Sequence, residues 1–256
     1  MFKPITKFLS VVALLVPLTV FSVEPNGFIL TDNGVPVKLF NTSKKESFGT
    51  VILLHGCNGV GPHEEIVAER FTDRGFDAVV IDSWKYRKIT SVCQTNAVEG
   101  YQRLEEVYKA VNWIKQQPWH KEKIFLIGYS HGASTALAAS RNGPEKGIDK
   151  AVAFYPYCFP QDHAEPKIPV QLHIGEKDDW TPAYRCRGIY NGLFKKYTYG
   201  EYYEYPDTYH AFDHTVDKVI PGIGQGGVVT PRIIRWNINS TYEAYKRTLK
   251  FFKEIN

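Results

Sequence analysis

The sequence predicts an α/β fold, a mostly parallel sheet with helices on both faces. Three observations carry that expectation. Short, continuous apolar runs such as Val51-Ile52-Leu53-Leu54 and Ile124-Phe125-Leu126-Ile127 read as strands buried on both sides. Stretches with apolar residues at helical spacing separate those runs. The 256 residues are 43% hydrophobic and only 23% charged, enough for a sizeable core, which excludes disordered and collagen-like classes. No internal repeat and no Pro- or Ser-rich linker divides the chain, so residues 23–256 are expected to form one domain.

Taken in order, residues 51–54 form the first buried strand, followed by a Gly/Asn loop. Residues 62–74 follow as a helix with Ile66, Val67 and Phe71 on one face. Residues 78–81 are the next strand, ending at Asp82. Over 97–117, Leu104, Val107, Val111 and Ile114 repeat at helical spacing until Pro118 stops the helix. Residues 124–127 are a strand, and 133–140 start a helix of small residues. Residues 151–154 and 170–174 are two further strands; a helix weakened by Gly188 and Gly192 spans 182–196. Residues 201–205 alternate like a strand, and 240–254 close the chain as an amphipathic helix. The glycine-rich stretch 216–229 has no such pattern and is expected as a loop able to cover a site.

The N-terminus reads as an export signal. Lys3 and Lys7 precede an apolar stretch over 8–21, and compact residues lead to a cleavage point after Ser22. This 14-residue stretch, broken by Ser10, Pro17 and Thr19, falls short of the roughly 20 apolar residues that span a bilayer, so no stable membrane anchor is expected after cleavage. The formal charge of +4 then becomes 29 positive against 27 negative groups, and no nucleic acid or other acidic partner is implied. Periplasmic or secreted location makes the four cysteines, Cys57, Cys93, Cys158 and Cys186, readable as two disulfides. Three pairings are possible and spacing does not choose among them.

In parallel sheets, ligands bind beyond the carboxyl ends of the strands. Just after one strand stands Gly128-Tyr129-Ser130-His131-Gly132, a G-x-S-x-G at a strand-to-helix turn. Its glycines permit a tight corner that projects the serine hydroxyl clear of the sheet. A serine needs a base to remove its proton, and the base needs an acid to orient it. In this architecture the order is Ser, acid, His. Asp178 and Asp179 follow a later strand, and Asp178 is the expected acid, though such a turn also makes an ordinary helix start. His210, after the last strand, is the expected base; His214 is its nearest rival.

A shared metal on His210 and His214 lacks a third ligand of the HExxH kind, so no metal is expected. His131 lies inside the elbow, His173 reads as structural, and His63, His120 and His163 read as surface residues. Acyl transfer also needs donors for the developing oxyanion. The backbone N–H groups of His131 and of Cys57, in His55-Gly56-Cys57-Asn58-Gly59, are the candidates. The glycine spacing there fits no dinucleotide fingerprint and no Walker A loop, so no cofactor is expected.

Together these motifs make the chain resemble the α/β-hydrolase superfamily and, within it, the dienelactone hydrolase family. The resemblance rests on Leu53 with His55-Gly56-Cys57-Asn58-Gly59, the elbow, Gly175-Glu176-Lys177-Asp178 with Pro182, and His210-Ala211-Phe212. It implies an α/β-hydrolase fold and selects Asp178 over Asp179 and His210 over His214. The founding members carry cysteine at the elbow and are intracellular, whereas this chain has Ser130 and an export signal. A serine esterase for a small ester or lactone is therefore the expected activity. Resemblance to secreted members implies the pairs Cys57–Cys93 and Cys158–Cys186. Trp84, Tyr86, Tyr155, Tyr157, Trp180 and Tyr184 lie near strand ends and are candidates for an aromatic pocket. A peptidase or acyltransferase using the same residues, or an exported binding protein without catalysis, are the competing readings.

Overall fold

Continuous apolar runs become the middle of an eight-stranded sheet. The computed structural model describes residues 27–95, 97–159, 165–194, 200–224 and 227–254; the expected signal segment 1–22 lies outside them. The strands are β1 (Ile29–Leu30), β2 (Pro36–Phe40), β3 (Thr50–Leu54), β4 (Asp77–Ile81), β5 (Ile124–Tyr129), β6 (Lys150–Phe154), β7 (Val170–Gly175) and β8 (Gly200–Tyr205). Their order across the sheet is β1-β2-β4-β3-β5-β6-β7-β8. From β4 to β8 every pairing is parallel, while β2 runs antiparallel to both β1 and β4. Every residue of β3 to β7 is buried. Successive side chains point to opposite faces, so both faces of the sheet must be covered.

The helices are α1 (Pro62–Thr72), α2 (Ser83–Arg87), α3 (Leu104–Lys115), α4 (His131–Ser140), α5 (Gly143–Lys146), α6 (Ala183–Ile189) and α7 (Ile238–Lys253). α1 and α7 meet through Phe71 and Phe252, whose ring centroids are 6.1 Å apart. α3 packs beside α4. α7 starts where the Asn237 side chain accepts from the Ser240 amide at 3.1 Å, a conventional cap.

Several boundaries differ from the sequence expectation. The helix expected over 97–117 is a 3₁₀ turn, Gly100–Arg103, leading into α3. The turn lets Gly100 approach Ser134 of α4 closely and sends Arg103 inward. α6 stops at Ile189 and continues as a π turn, Tyr190–Phe194; residues 195 and 196 of the expected helix lie outside the described residues. α2, β1 and β2 carry no periodic signal because they are only two to five residues long.

Residues 216–229 are the largest departure. Instead of an irregular loop they contain β9 (Asp217–Ile223), paired in antiparallel register with β10 (Val229–Arg235). This ribbon is a separate sheet that docks on the active end. The Ile223 amide donates to the Cys93 carbonyl at 2.8 Å, and Trp180 Nε1 donates to the Ile223 carbonyl at 2.9 Å. β9 satisfies its backbone on the next strand in the chain, and Pro221 and Gly222 within it break the alternating pattern that would mark a strand, which is why the stretch suggested a loop.

Candidate active site

β5 ends at Tyr129 and α4 begins at His131, so Ser130 alone makes the corner. Its φ of +50° and ψ of −111° are strained for a residue with a side chain. The flanking glycines are sterically required: a Cβ on Gly128 would strike the Gly132 carbonyl, and one on Gly132 would strike the Leu54 carbonyl. β3, β5 and α4 can therefore pack against one another only with these two glycines in place. The Ser130 amide donates to the Phe154 carbonyl at 2.9 Å, tying the corner to β6.

The structure brings Ser130, His210 and Asp178 together. Ser130 Oγ donates to His210 Nε2 at 3.0 Å, and His210 Nδ1 donates to Asp178 Oδ2 at 2.8 Å. Asp178 follows β7 and is buried with His210. Its Oδ1 accepts from the amides of Trp180 and Thr181 at 3.0 and 2.7 Å, and the Thr181 hydroxyl donates to Oδ2 at 2.8 Å. Every one of these bonds is accepted, so the carboxylate is locked with one oxygen facing the imidazole. Asp179 points elsewhere, toward the Ile233 amide on the ribbon, at 3.3 Å. Among the described residues, neither the Cys57 nor the His131 amide donates to a protein acceptor. Both lie beside Ser130 in the lining of the cleft.

The Cys57 loop is held from several sides. Cys57 is bonded to Cys93, and Cys158 to Cys186. The Cys57 carbonyl accepts from the Val92 amide and from Trp84 Nε1, each at 2.9 Å. Beneath it lies the fully buried Arg103, which the sequence reading did not single out. Its guanidinium donates to the His55 carbonyl at 2.9 Å, to Ser83 Oγ at 2.9 Å and to His131 Nδ1 at 3.1 Å. Burial, and then the Arg103 charge, push His131 down to about 3, so the ring is neutral and accepts from Arg103. His131 Nε2 donates to the Val98 carbonyl at 2.7 Å.

Of the expected pocket residues, Tyr155 and Trp180 line the cleft and Tyr157 lines its smaller part. Trp84 and Tyr86 do not line it. Trp84 is buried behind the Cys57 loop, and the Tyr86 hydroxyl donates to Glu105 at 2.8 Å away from the cleft. Tyr184 is 58% exposed and also stays outside. Their positions after strand ends were right, but α2 and α6 turn these side chains away from the opening.

His63 is the main correction. It lies half-buried in the wall of the cleft, and its Nε2 donates to Asp213 at 2.9 Å. Tyr155 and Tyr245 hydroxyls donate to the same carboxylate at 2.7 and 2.8 Å, and the Tyr129 and Tyr245 hydroxyls are 2.9 Å apart. Burial opposes charge on His63, but the Asp213 charge and hydrogen bond, helped by Glu64, raise it to about 10. Burial likewise opposes charge on Asp213, and the His63 charge overrides it and holds the carboxyl well below its usual range. His214 is pushed down to about 4 by burial and by the neighbouring His63 charge. His63, Asp213 and His214 bring ligand-capable atoms within 4.8 Å of one another. Their geometry suits a proton better than a cation. The two imidazoles stack 3.8 Å apart at 11°, so their in-plane lone pairs run side by side instead of converging. His173 is buried within β7 between Tyr205 and Gln171, as a structural residue would be; His163 lies outside the described residues.

A mostly parallel sheet with a strained serine at a strand-to-helix corner defines the α/β-hydrolase class. The chain belongs to the dienelactone hydrolase family, whose sequence model matches residues 38–256. Solved structures agree on the fold. A protein of Klebsiella pneumoniae assigned to the dienelactone hydrolases is 15% identical, with a TM-score of 0.70 over 87% of this chain and 94% of that one. A dienelactone hydrolase-like promiscuous phosphotriesterase from metagenomic libraries is 16% identical, with a TM-score of 0.63 over 85% and 91%. Est1E from Butyrivibrio proteoclasticus is 15% identical, with a TM-score of 0.55 over 73% and 92%. No curated protein matches the chain.

Proposed function

We propose that this hydrolase cleaves small carboxylic esters or lactones through an acyl-enzyme on Ser130. The carrying observation is the unbroken series of hydrogen bonds from Ser130 Oγ to His210 to Asp178 at the carboxyl end of the sheet. His210 Nε2 takes the hydroxyl proton as Oγ attacks the carbonyl carbon, and Asp178 holds the ring and balances the imidazolium. The free amides of Cys57 and His131 receive the negative oxygen. His210 then protonates the leaving oxygen, the bond to the alcohol breaks, and water repeats the sequence to release the acid. No cofactor enters.

The two disulfides support an exported protein, with residues 1–22 removed and residues 23–256 acting as one domain. The test is Ser130→Ala in the mature chain, assayed on short p-nitrophenyl esters and by fluorophosphonate labelling. Labelling should vanish and kcat should fall by roughly 10⁴–10⁶, the scale seen when other triad enzymes lose the nucleophile. Unchanged turnover with the fold intact would overturn the assignment.

A further inference from the structure

The cleft divides at Ser130 into two lobes of unequal size. The larger, about 450 Å³, has an apolar wall that includes Val60, Ile66, Val216, Ile220 and Ile234. The smaller, about 200 Å³, lies among Val98, Tyr157, Phe159 and Ile223. Trp180 and the Cys57–Cys93 disulfide border both lobes and form the divide. The two histidines nearest Ser130 in these linings fall on opposite sides: His210 lines only the larger lobe, and His131 only the smaller.

Given the esterase reading above, on which this step rests, the chemistry decides which half of a substrate enters which lobe. After attack, the reacting carbon carries Ser130 Oγ, the oxyanion, the leaving oxygen and the acyl chain. The oxyanion faces the Cys57 and His131 amides. The leaving oxygen must come within hydrogen-bond reach of His210 Nε2, because that nitrogen delivers its proton. The alcohol must therefore occupy the lobe that His210 lines. The acyl chain is left with the other.

We infer that the protein is an esterase for short acyl groups on bulky, largely apolar alcohols, with the acyl chain in the Tyr157 lobe and the alcohol in the Ile220 lobe. At roughly 30 Å³ for each water-sized group, the smaller lobe accepts an acyl chain of about six carbons. The wall that sets this length is built of aromatic rings. Tyr157 and Phe159 stack at 4.0 Å between centroids, and Arg185 braces the Tyr157 ring at 4.6 Å. A stacked, braced pair gives way less readily than a lone side chain, so a longer chain must project out of the lobe into solvent instead of deepening it. The larger lobe is walled by aliphatic side chains of the ribbon and α1, which suit an apolar alcohol body.

The experiment crosses two series on the mature wild-type enzyme. One varies the acyl chain from C2 to C12 on p-nitrophenol, and the other varies the alcohol on acetate from methyl to cyclohexylmethyl, alkyl alcohols of nearly constant leaving-group acidity. kcat/KM should fall at least tenfold between C6 and C10 acyl chains and rise with alcohol size. Tyr157→Ala should move the acyl optimum by two or more carbons and leave the alcohol ranking unchanged. Ile220→Trp should depress bulky-alcohol esters selectively and spare methyl esters. Equal turnover of C6 and C10 chains by the wild type would overturn the lobe assignment, as would a Tyr157→Ala change confined to the alcohol series. Both results leave the esterase reading standing, because hydrolysis is still seen. Failure to hydrolyse any ester, with no fluorophosphonate adduct on Ser130, would sink that reading and the lobes together.

Discussion

Two His–Asp pairs, one buried and one half-buried, stand at the same cleft at nearly the same spacing, 2.8 Å for His210–Asp178 and 2.9 Å for His63–Asp213. They differ in which ring nitrogen faces the carboxylate. His210 offers Nδ1 to Asp178 and keeps Nε2 on the Ser130 hydroxyl. His63 offers Nε2 to Asp213, and its Nδ1 faces a second carboxylate, Glu64, at 3.7 Å. The carboxylates differ as well. Asp178 is held by backbone amides on the turn after β7, whereas Asp213 gathers hydroxyls from Tyr155, just after β6, and from α7. A ring that keeps its proton up to about 10 cannot take one from a serine, so the second pair is a standing ion pair. Proximity of His to Asp therefore does not make a base; a free lone pair aimed at a hydroxyl does.

The His63–Asp213 pair serves the first through Tyr155. That residue donates its hydroxyl to Asp213 and packs its ring edge against His210 at 4.8 Å. Asp213 also stands three residues after His210 in the chain, so fixing it fixes the loop that carries His210.

The largest effect should come from Asp178→Asn. The ring would lose its charged partner and take the wrong tautomer, lowering kcat on the order of 10⁴-fold with the fold preserved by near-UV circular dichroism. A loss below tenfold would show that the two pairs do not differ in the way described. Asp213→Asn should invert the pattern, with a large stability loss and a small kinetic one. Breaking a buried ion pair from one side costs about 3–5 kcal/mol, readable as a lower midpoint in urea. kcat should fall only about tenfold, through a looser Tyr155. A kinetic loss as deep as that of Asp178→Asn would erase the distinction.

His63→Gln is the mildest test and reads the proton directly. A folded pKa raised to about 10 means that His63 adds stability fully below its ordinary value near 6.5. That share disappears as pH climbs through about 10. Asp213 has the opposite sign: its depressed pKa adds stability above the ordinary carboxylate range and loses it in acid. Wild-type unfolding free energy should therefore decline between pH 7 and 10, and His63→Gln should lose most of that slope while keeping activity within about threefold. An identical slope in the variant would remove His63 as the proton holder.

The two pairs also differ in how far the sequence revealed them. Ser130, Asp178 and His210 each follow a strand run, so position narrowed the candidates, and the resemblance to dienelactone hydrolases selected Asp178 over Asp179 and His210 over His214. His63 opens α1 amid polar neighbours and looks like a surface residue; only packing against Tyr129 and His214 buries it. Arg103 was hidden for a related reason. An arginine within a helical stretch reads as solvated until Gly100 draws the turn inward. Trp84 and Tyr86 mark the opposite error, since a place after a strand end says nothing about the direction in which α2 points a ring.

The sequence by itself determined the parallel sheet, because apolar runs buried on both faces have few other solutions. It also determined the elbow, because only glycine clears the carbonyls of Gly132 and Leu54. Tertiary structure alone decided the ribbon over the cleft, the second ion pair and the split of the cleft into two lobes. Strands and elbows are set by neighbours within a few residues. The ribbon's dock at Cys93, the His63–Asp213 bond across 150 positions and the Trp180 divide depend on contacts between distant segments. No local pattern encodes those.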